Sequence, residues 1–259
     1  MPYVETGEEK LFYTEARGPE QGPKVVLVHG AGGSRLHWPP QLRRMDGATV
    51  YSLDLPGHGR SGGFGCETIE AYASVVARFL DAVGISAPVV VGHSMGGAVA
   101  QQLALSQHGR LAALILVGTG AKLRVAPSIL DGIQGDFEEA LESITAYAWS
   151  PGADPELKEL GREALRETGA EVLYRDFQAC DGFDVMERVD KITLPTLVLV
   201  GSEDRLTPVK YSRYLAERIP EADLVVMEGA GHMVMLEQPD EVGGVVKGFL
   251  TQEAPLNAA

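Results

Sequence analysis

The sequence predicts an α/β fold: a mostly parallel central sheet with helices on both faces and one helical insertion. Two observations lead to this fold class. Short, continuously apolar runs alternate with longer amphipathic segments, the pattern of strands that are covered on both faces. Between about residues 121 and 191 this alternation stops and only helical patterns remain. We therefore assign residues 1–120 and 192–259 to one core domain and residues 121–191 to the insertion.

The predicted strands are apolar runs that end close to glycine or to polar turn residues. Six of them are continuously apolar and rich in valine, isoleucine and leucine, at residues 24–30, 48–55, 88–92, 111–118, 196–201 and 222–229. The N-terminal run, residues 3–16, has a glycine turn near its middle and reads as a hairpin. We expect this hairpin to add antiparallel strands at one edge of the sheet.

The helical segments show apolar residues at three- and four-residue spacing. Residues 67–83 place one apolar stripe on a single face: Ile69, Tyr72, Val76, Phe79, Leu80 and Val83. Within the insertion, residues 136–150 and 154–177 carry similar patterns. The second begins at Asp154, followed by proline and glutamate, which is a favourable helix start.

Composition limits the partners and the compartment. The chain has 259 residues, is 45% hydrophobic and carries a formal net charge of −14. Nucleic acid and anionic membrane surfaces would repel such a protein, so we expect neither as a partner. Two cysteines are too few for a disulfide framework, and no signal-peptide pattern or bilayer-length apolar run is found. We expect a soluble cytoplasmic protein.

Two serines occupy a Gly-x-Ser-x-Gly pattern, Ser94 and Ser61. Ser94 follows a predicted strand directly and precedes a predicted helix, so its hydroxyl would stand at a tight strand–helix turn. The helix N-terminus would favour negative charge developing beside it. Ser61 has neither neighbour and lies in a loop. We therefore take Ser94 as the candidate nucleophile.

A serine nucleophile needs a base, and the base needs an orienting acid. His232 follows the last predicted strand on a short glycine loop, which places it at the same sheet edge as Ser94. The other histidines lie in turns, in a loop or at a helix end, and we expect structural roles for them: His29, His37, His58, His93 and His108. Glu203 and Asp204 follow the strand at residues 196–201, and we take Asp204 as the acid. The order is then Ser94, Asp204, His232.

The motifs VLVHGAGGS, DLPGHGRS, VVGHSMGG, VLVGSEDRLTP and EGAGHMVMLEQPDEV follow one another along the chain. In this order and spacing the whole chain resembles the α/β-hydrolase superfamily. The resemblance implies that Ser94 attacks an acyl carbon, that His232 transfers the proton and that Asp204 orients the imidazole. It also implies an oxyanion hole made by the backbone N–H groups of Ala31 and Met95, and a helical cap formed by the insertion.

The fold does not determine the substrate. Ser94 argues against the dehalogenases and epoxide hydrolases of this fold, which use aspartate. Carboxylesterases, thioesterases, lactonases, perhydrolases and carbon–carbon bond hydrolases of the meta-cleavage type remain. The carbon–carbon hydrolases rank second, because the oxyanion loop and His93 differ from their usual pattern. A ligand-binding receptor of the same fold is the non-enzyme alternative, disfavoured because all three candidate catalytic residues are present.

The insertion bears on substrate size. Its helices carry apolar faces that must be buried, and the surface above Ser94 is available for them. We therefore predict a serine carboxylesterase that cleaves small-molecule esters of short to medium acyl chain through an acyl-enzyme intermediate. No cofactor and no metal is expected, and the oligomeric state and natural substrate stay open. Four residues are predicted to line the substrate pocket, with core packing as the alternative: Trp38, Tyr147, Trp149 and Met233.

Overall fold

A computed structural model describes residues 3–7, 9–107 and 109–252 of the chain. Eight strands form its sheet: β1 (Tyr3–Thr6), β2 (Glu9–Ala16), β3 (Lys24–Val28), β4 (Thr49–Leu53), β5 (Val89–His93), β6 (Ala113–Val117), β7 (Thr196–Gly201) and β8 (Ala222–Met227). Their order across the sheet is β1-β2-β4-β3-β5-β6-β7-β8. The predicted α/β fold class is confirmed.

The sheet is antiparallel only at its N-terminal edge. β1 and β2 form the predicted hairpin, and β2 pairs antiparallel with β4. All pairs from β4 to β8 are parallel. Every residue of β4, β5, β6 and β7 is buried, as their continuous apolar sequences predict.

Within the described residues, ten α-helices accompany the sheet: α1 (Pro40–Arg43), α2 (Ile69–Val83), α3 (Met95–Ser106), α4 (Pro127–Gly135), α5 (Phe137–Ala148), α6 (Pro155–Thr168), α7 (Ala170–Asp181), α8 (Val209–Arg218), α9 (Val234–Glu237) and α10 (Pro239–Gln252). In the described part of the chain, none combines the length and apolar character needed to cross a bilayer.

Helices cover both faces of the sheet and so create two cores. On one face α2, α3 and α8 bury residues such as Phe79, Leu103 and Leu215. On the other face α1, α9 and α10 bury residues such as Leu42 and Met235. Each fully buried side chain of this size stabilises the fold by about 1.5–3 kcal/mol. Because both faces of the sheet are covered, a functional site can form only at the ends of the strands.

Helices α4 to α7 occupy the predicted insertion and share a small core of their own. Ile133, Leu141, Ile144 and Leu173 are buried in it. The helical pattern over residues 154–177 is divided into α6 and α7 at Gly169, where φ is +85° and ψ is 158°. An L-residue rarely adopts that conformation, so this glycine ends one helix and starts the next. As predicted, the Asp154 side chain caps α6, accepting a hydrogen bond from the Glu156 amide at 2.8 Å.

Candidate active site

Ser94 lies at a tight turn between β5 and α3. Its backbone is held at φ +52° and ψ −116°, an unusual conformation for a residue with a side chain. The Ser94 amide donates to the Val117 carbonyl oxygen at 2.9 Å, and its carbonyl oxygen accepts from the Thr119 hydroxyl at 2.8 Å. A Cβ atom at Gly92 would lie 2.2 Å from the Gly96 carbonyl oxygen. Only glycine permits this close turn, which presents Ser94 at the end of the sheet.

His232 and Asp204 form a hydrogen-bonded pair beneath this edge. The Nδ1 atom of His232 lies 2.9 Å from Oδ2 of Asp204, and both side chains are buried. Asp204 also accepts hydrogen bonds from the amides of Leu206 and Thr207, at 2.9 and 2.8 Å, and from the Thr207 hydroxyl at 2.8 Å. With Nδ1 engaged, Nε2 is the nitrogen of His232 left to exchange a proton with another group.

The charge on Asp204 is stabilised despite its burial. Burial raises the pKa of a carboxyl group, but the neighbouring His232 imidazole and the hydrogen bonds from His232 and Thr207 outweigh it. The pKa of Asp204 is therefore lowered from its usual value. An ionised Asp204 favours the Nδ1–H tautomer of His232.

His93 supports the loop that carries His232. Its Nε2–H donates to the His232 carbonyl oxygen at 3.0 Å, and the two rings lie 4.7 Å apart. Burial, together with the neighbouring His232, lowers the pKa of His93 well below its usual range, so the ring is neutral. His93 thus holds the backbone of the loop. It leaves Nε2 of His232 unoccupied.

Among the described residues, three amides of the loop after β3 have no hydrogen-bond acceptor, those of Gly30, Ala31 and Ser34. The amides of Gly32 and Gly33 donate to Asp176 and to the Gly30 carbonyl oxygen, at 2.8 and 3.1 Å. The Ala31 amide donates no such hydrogen bond to any of the described residues. Met95 is the first residue of α3, where an amide has no acceptor within its helix. These two amides are the ones predicted for the oxyanion hole.

Ser94 and His232 both line one apolar cleft beneath the insertion. The cavity within it measures about 80 Å³. Its floor includes Ala31 and Met233, and its roof comes from α5, α6 and α7 through Ile144, Thr145, Ala148, Gly161, Leu165, Phe177 and Cys180. Trp149 closes one wall. We call this space the inner lobe.

A second space also opens at Ser94, and we call it the outer lobe. It measures about 70 Å³ and shares Ser94, Phe177, Cys180 and Leu206 with the inner lobe. Its remaining lining includes residues 123–126, Ile129, Thr207 and Tyr211. A substrate held at Ser94 therefore has room for one group on each side of the reacting atom.

Two of the four predicted pocket residues line the cleft. Trp149 and Met233 do, whereas Trp38 and Tyr147 do not, and for these two the prediction is corrected. Trp38 is fully buried in the core on the α10 face, where its ring packs against His93. Tyr147 is 49% exposed on the outside of the insertion, with the Arg205 guanidinium over its ring. Sequence position alone did not distinguish the inward face of α5 from its outer face.

The sequence also missed residues that matter at this site. His37 lines the inner lobe, and burial lowers its pKa to about 4, so the ring is neutral. Thr207 follows Asp204 by three residues, a spacing at which an aspartate often binds its own turn, and this signal could have identified it. Ser61 serves a structural role, since its hydroxyl donates to the Asp54 carbonyl oxygen at 2.6 Å. His108 lies outside the described residues.

No group of three or more histidine, cysteine, aspartate or glutamate side chains within the described ranges is arranged to hold a metal ion. The polar groups at Ser94 are instead backbone amides and histidine side chains. What the arrangement can do chemically is stabilise an oxyanion and move one proton.

The sheet order, the turn at Ser94 and the placement of Asp204 and His232 after β7 and β8 define an α/β-hydrolase fold. Sequence comparison leads to the same class. The profile of the alpha/beta hydrolase family matches residues 25–244. The chain belongs to the alpha/beta hydrolase family and is a hydrolase.

Three similar proteins show the range of this family around the chain. A thermophilic esterase of known structure is 36% identical to this chain. The match covers 97% of this chain and 97% of the esterase, with a TM-score of 0.86. The provisionally assigned carbamate hydrolase RutD of Caulobacter sp. (strain K31) is 30% identical, over 97% of this chain and 100% of its own. A pimeloyl-[acyl-carrier protein] methyl ester esterase of Neisseria meningitidis serogroup C is 26% identical, over 90% and 95%.

Proposed function

We propose that this protein is a serine carboxylesterase that cleaves small-molecule esters of short to medium acyl chain. The observation that carries the proposal is the buried Asp204–His232 pair, which leaves Nε2 of His232 at the cleft that Ser94 also lines. The relatives support the type of bond, because two of the three similar proteins are named as esterases.

The reaction proceeds in two halves. The Ser94 hydroxyl oxygen attacks the acyl carbon while Nε2 of His232 takes its proton. The bond to the leaving oxygen then breaks, His232 returns the proton to the alcohol, and an acyl-enzyme remains on Ser94. Water then attacks the acyl carbon while His232 takes its proton. The bond to the Ser94 oxygen breaks as His232 returns that proton to Ser94, and the carboxylic acid leaves. Asp204 accepts the Nδ1–H hydrogen bond throughout and stabilises the imidazolium.

The tetrahedral intermediates carry a negative oxygen, which the amides of Ala31 and Met95 stabilise. Support comes from the hydrogen bonding of the loop, because Gly32 and Gly33 already have acceptors and Ala31 does not. The N-terminus of α3, which begins at Met95, adds its positive dipole end. Removing one such donor from a serine hydrolase typically costs a factor of about 10²–10³ in kcat.

The size of the inner lobe supports short to medium acyl chains. Ile144, Leu165 and Phe177 cross above Ser94 and limit how far an acyl chain can extend. A butyrate or hexanoate chain gains apolar contact there at roughly 0.8 kcal/mol per buried CH₂, whereas a palmitate chain would have to leave the cleft. We expect kcat/KM to rise from acetate to about hexanoate and then to fall.

A fluorophosphonate probe tests the nucleophile directly. The wild-type protein should be labelled on the peptide that contains Ser94, and Ser94→Ala should lose both the label and the hydrolysis of p-nitrophenyl butyrate. Ser61→Ala is the matched control, because its serine has the same flanking pattern but a structural hydrogen bond. Circular dichroism establishes that both variants are folded.

The outcomes separate the alternatives. Retained hydrolysis in folded Ser94→Ala would overturn the mechanism, and an equal loss in folded Ser61→Ala would assign the nucleophile to the other turn. Thioesters, lactones, aryl carbamates and a vinylogous diketone are assayed beside the esters. A kcat/KM on any of these far above the best ester would replace carboxylesterase by that activity.

A further inference from the structure

One buried carboxylate of the insertion contacts three separate parts of the core. Asp176 of α7 is fully buried. Its Oδ2 atom accepts hydrogen bonds from the Gly32 amide and from Nε2 of His58, each at 2.8 Å. Its Oδ1 atom accepts from the Tyr72 hydroxyl. The donors belong to the loop after β3, to the loop after β4 and to α2.

The hydrogen bonds of His58 show that its ring is charged. Nδ1 lies 2.9 Å from the Pro56 carbonyl oxygen and Nε2 lies 2.8 Å from Asp176. Both neighbours are acceptors, so both ring nitrogens must carry hydrogen. Burial disfavours this charge, but the Asp176 carboxylate and its hydrogen bond prevail and raise the pKa of His58. Asp176 and His58 are therefore a buried ion pair.

The ion pair acts on the oxyanion loop through Gly32. The Gly32 amide is bound by Asp176, and the Gly32 carbonyl oxygen accepts from the Thr168 hydroxyl at 2.9 Å. Two residues earlier, Nδ1–H of His29 donates to the Gly30 carbonyl oxygen at 2.8 Å. Ala31 lies between these fixed points. The orientation of its free amide is thus set by groups on both sides, and two of them come from the insertion.

We propose that Asp176 and His58 are positioning residues for the oxyanion hole. The carboxylate fixes the Gly32 amide, His58 holds that carboxylate in place, and together they aim the Ala31 amide at the reacting oxygen. The insertion therefore completes the catalytic site as well as roofing it. This inference rests on the proposed function above.

The test combines one substitution with one kinetic signature. Asp176→Ala should lower the acylation rate constant for p-nitrophenyl butyrate by about 10–100-fold, with KM within about twofold, since a misaligned donor is felt in the transition state. The same variant is assayed on the matching thionoester, whose sulfur accepts hydrogen bonds poorly. The ratio of oxoester to thionoester rates should fall with the loss of the oxyanion contact. A purely structural defect would leave that ratio unchanged.

Tyr72→Phe is the matched control. It removes a donor from the same carboxylate but leaves Gly32 bound, so its rate and its oxoester-to-thionoester ratio should stay close to wild type. Asp176→Asn keeps one oxygen for the Gly32 amide and replaces Asp176→Ala if that variant does not fold. The ratio should fall by a smaller factor in this variant.

An unchanged ratio in every folded Asp176 variant overturns the inference. The proposed function is judged separately, by the labelling of Ser94 in the wild-type protein. If labelling and hydrolysis depend on Ser94 but the oxoester-to-thionoester ratio is unchanged in the Asp176 variants, only the positioning role fails. If Ser94 is not labelled at all, the proposed function fails first.

The outer lobe carries a second, independent observation. Among the described side chains that line the two lobes, Arg124 is the sole arginine, lysine, aspartate or glutamate. Arg124 is exposed and forms no ion pair within 4.0 Å among the described residues. Asp184 is bonded to Lys122, which chiefly lowers the pKa of that carboxyl, with a smaller contribution from Arg124. Asp136 and Glu139 line a neighbouring pocket together with Arg124. A protein with a net charge of −14 thus presents a positive charge at its catalytic cleft.

We infer that Arg124 selects esters with a carboxylate on the part that enters the outer lobe. The guanidinium would bind that carboxylate through charge-assisted hydrogen bonds, which should raise kcat/KM roughly tenfold or more. Like the positioning role, this rests on the proposed function and names its substrate class.

Two matched series test it. The acyl series compares the p-nitrophenyl monoester of glutaric acid with p-nitrophenyl hexanoate, and the alcohol series compares the butyrate esters of 4-hydroxybenzoate and 4-hydroxybenzamide. In one series the anionic-to-neutral ratio of kcat/KM should fall about tenfold in Arg124→Gln and further in Arg124→Glu. Arg17→Gln, an exposed arginine that lines neither lobe, should leave it unchanged.

If the Arg124 substitutions leave the anionic-to-neutral ratio of kcat/KM unchanged in both series, the assignment is overturned. Hydrolysis of the neutral esters by the wild-type protein, lost in Ser94→Ala, shows in the same assay that the proposed function stands. The series that responds also identifies whether the acyl group or the alcohol occupies the outer lobe.

Discussion

At the residue scale, the backbone of Ser94 stores strain. Its φ of +52° and ψ of −116° lie in a region that residues with a Cβ atom rarely adopt, at a cost of about 1–3 kcal/mol. The cost is borne because the turn holds the hydroxyl clear of the sheet. We expect Ser94→Gly to be more stable than Ser94→Ala by about 1 kcal/mol, measured by urea unfolding. Neither variant has the hydroxyl, so the comparison isolates the backbone.

The same pair of substitutions at Ser74 is the control. Ser74 is exposed within α2, where glycine costs about 1 kcal/mol relative to alanine. The order of stability should therefore reverse between the two sites. Ser94→Gly falling below Ser94→Ala would show that the turn is unstrained.

Also at this scale, Thr207 supports the Asp204–His232 pair. Its hydroxyl donates to Asp204 at 2.8 Å and lies 3.2 Å from Nδ1 of His232. We expect Thr207→Val to lower kcat about tenfold, because the carboxylate keeps its two amide donors. Asp204→Asn should lower kcat by about 10⁴, because the wrong tautomer of His232 is then favoured.

Thr207→Ser retains the hydroxyl and should keep most of the wild-type kcat. If Thr207→Val and Thr207→Ser lose activity equally while folded, the methyl group rather than the hydroxyl is what the site needs. Steady-state kinetics with p-nitrophenyl butyrate measures all three variants.

The sequence located Ser94, Asp204 and His232 because each follows the end of a predicted strand, and parallel strands bring those ends together. It did not reveal the supporting contacts of Thr207 or His93, nor the inward face of α5. Those depend on side-chain directions, which spacing along the chain does not determine. Trp38 shows the same limit, since it follows the oxyanion loop in sequence but turns into the core.

At the element scale, the core strands were predictable and the insertion was not. Parallel strands have a strong signature in continuous apolar runs, and all six were identified, including β8 at the sheet edge, which is only partly buried. In the insertion, Gly169 interrupts a pattern that looks continuous, because one glycine has little effect on apolar periodicity. The contacts of Asp176 could not be predicted for another reason, because its three hydrogen-bond partners lie 104 to 144 residues away in the chain.

The ion pair between α7 and the loop after β4 predicts a pH dependence of stability. The pKa of His58 is raised above its ordinary 6.5 in the folded protein. Its contribution is therefore fully present below pH 6.5 and is lost as pH rises through the folded pKa. We expect the free energy of unfolding of the wild type to decline above pH 6.5, by at most about 1.4 kcal/mol per pH unit.

His58→Gln is the comparison, since glutamine does not titrate. The variant should be less stable than wild type near pH 6 but should lack the decline at higher pH. Asp176 and Asp54 also face His58, as do the neutral rings of His29 and His37. Burial lowers the pKa values of those two histidines, so they titrate below this window. An identical slope in both proteins would place the titrating group elsewhere.

At the scale of the whole molecule, the insertion is fastened to the core around the cleft. Asp176 binds the loop after β3, the Ala148 carbonyl oxygen accepts from the Met233 amide at 3.1 Å, and Arg205 donates to the Ala146 carbonyl oxygen. The roof is thus bonded to the loops that carry Ala31, Asp204 and His232. A roof held in this way should close over substrate without needing a surface to open it.

This architecture predicts no activation at an oil–water interface. A lipase-like jump in rate requires a roof that moves onto lipid, whereas displacing this one would break contacts to the catalytic loops. The net charge of −14 also opposes adsorption to anionic lipid. We expect the rate on tributyrin, followed in a pH-stat, to saturate below the solubility limit and to stay flat beyond it. Triolein should be a poor substrate at any concentration. A sharp rise at the emulsion boundary, with triolein as the best substrate, would show that the roof opens despite these bonds and that the protein is a lipase.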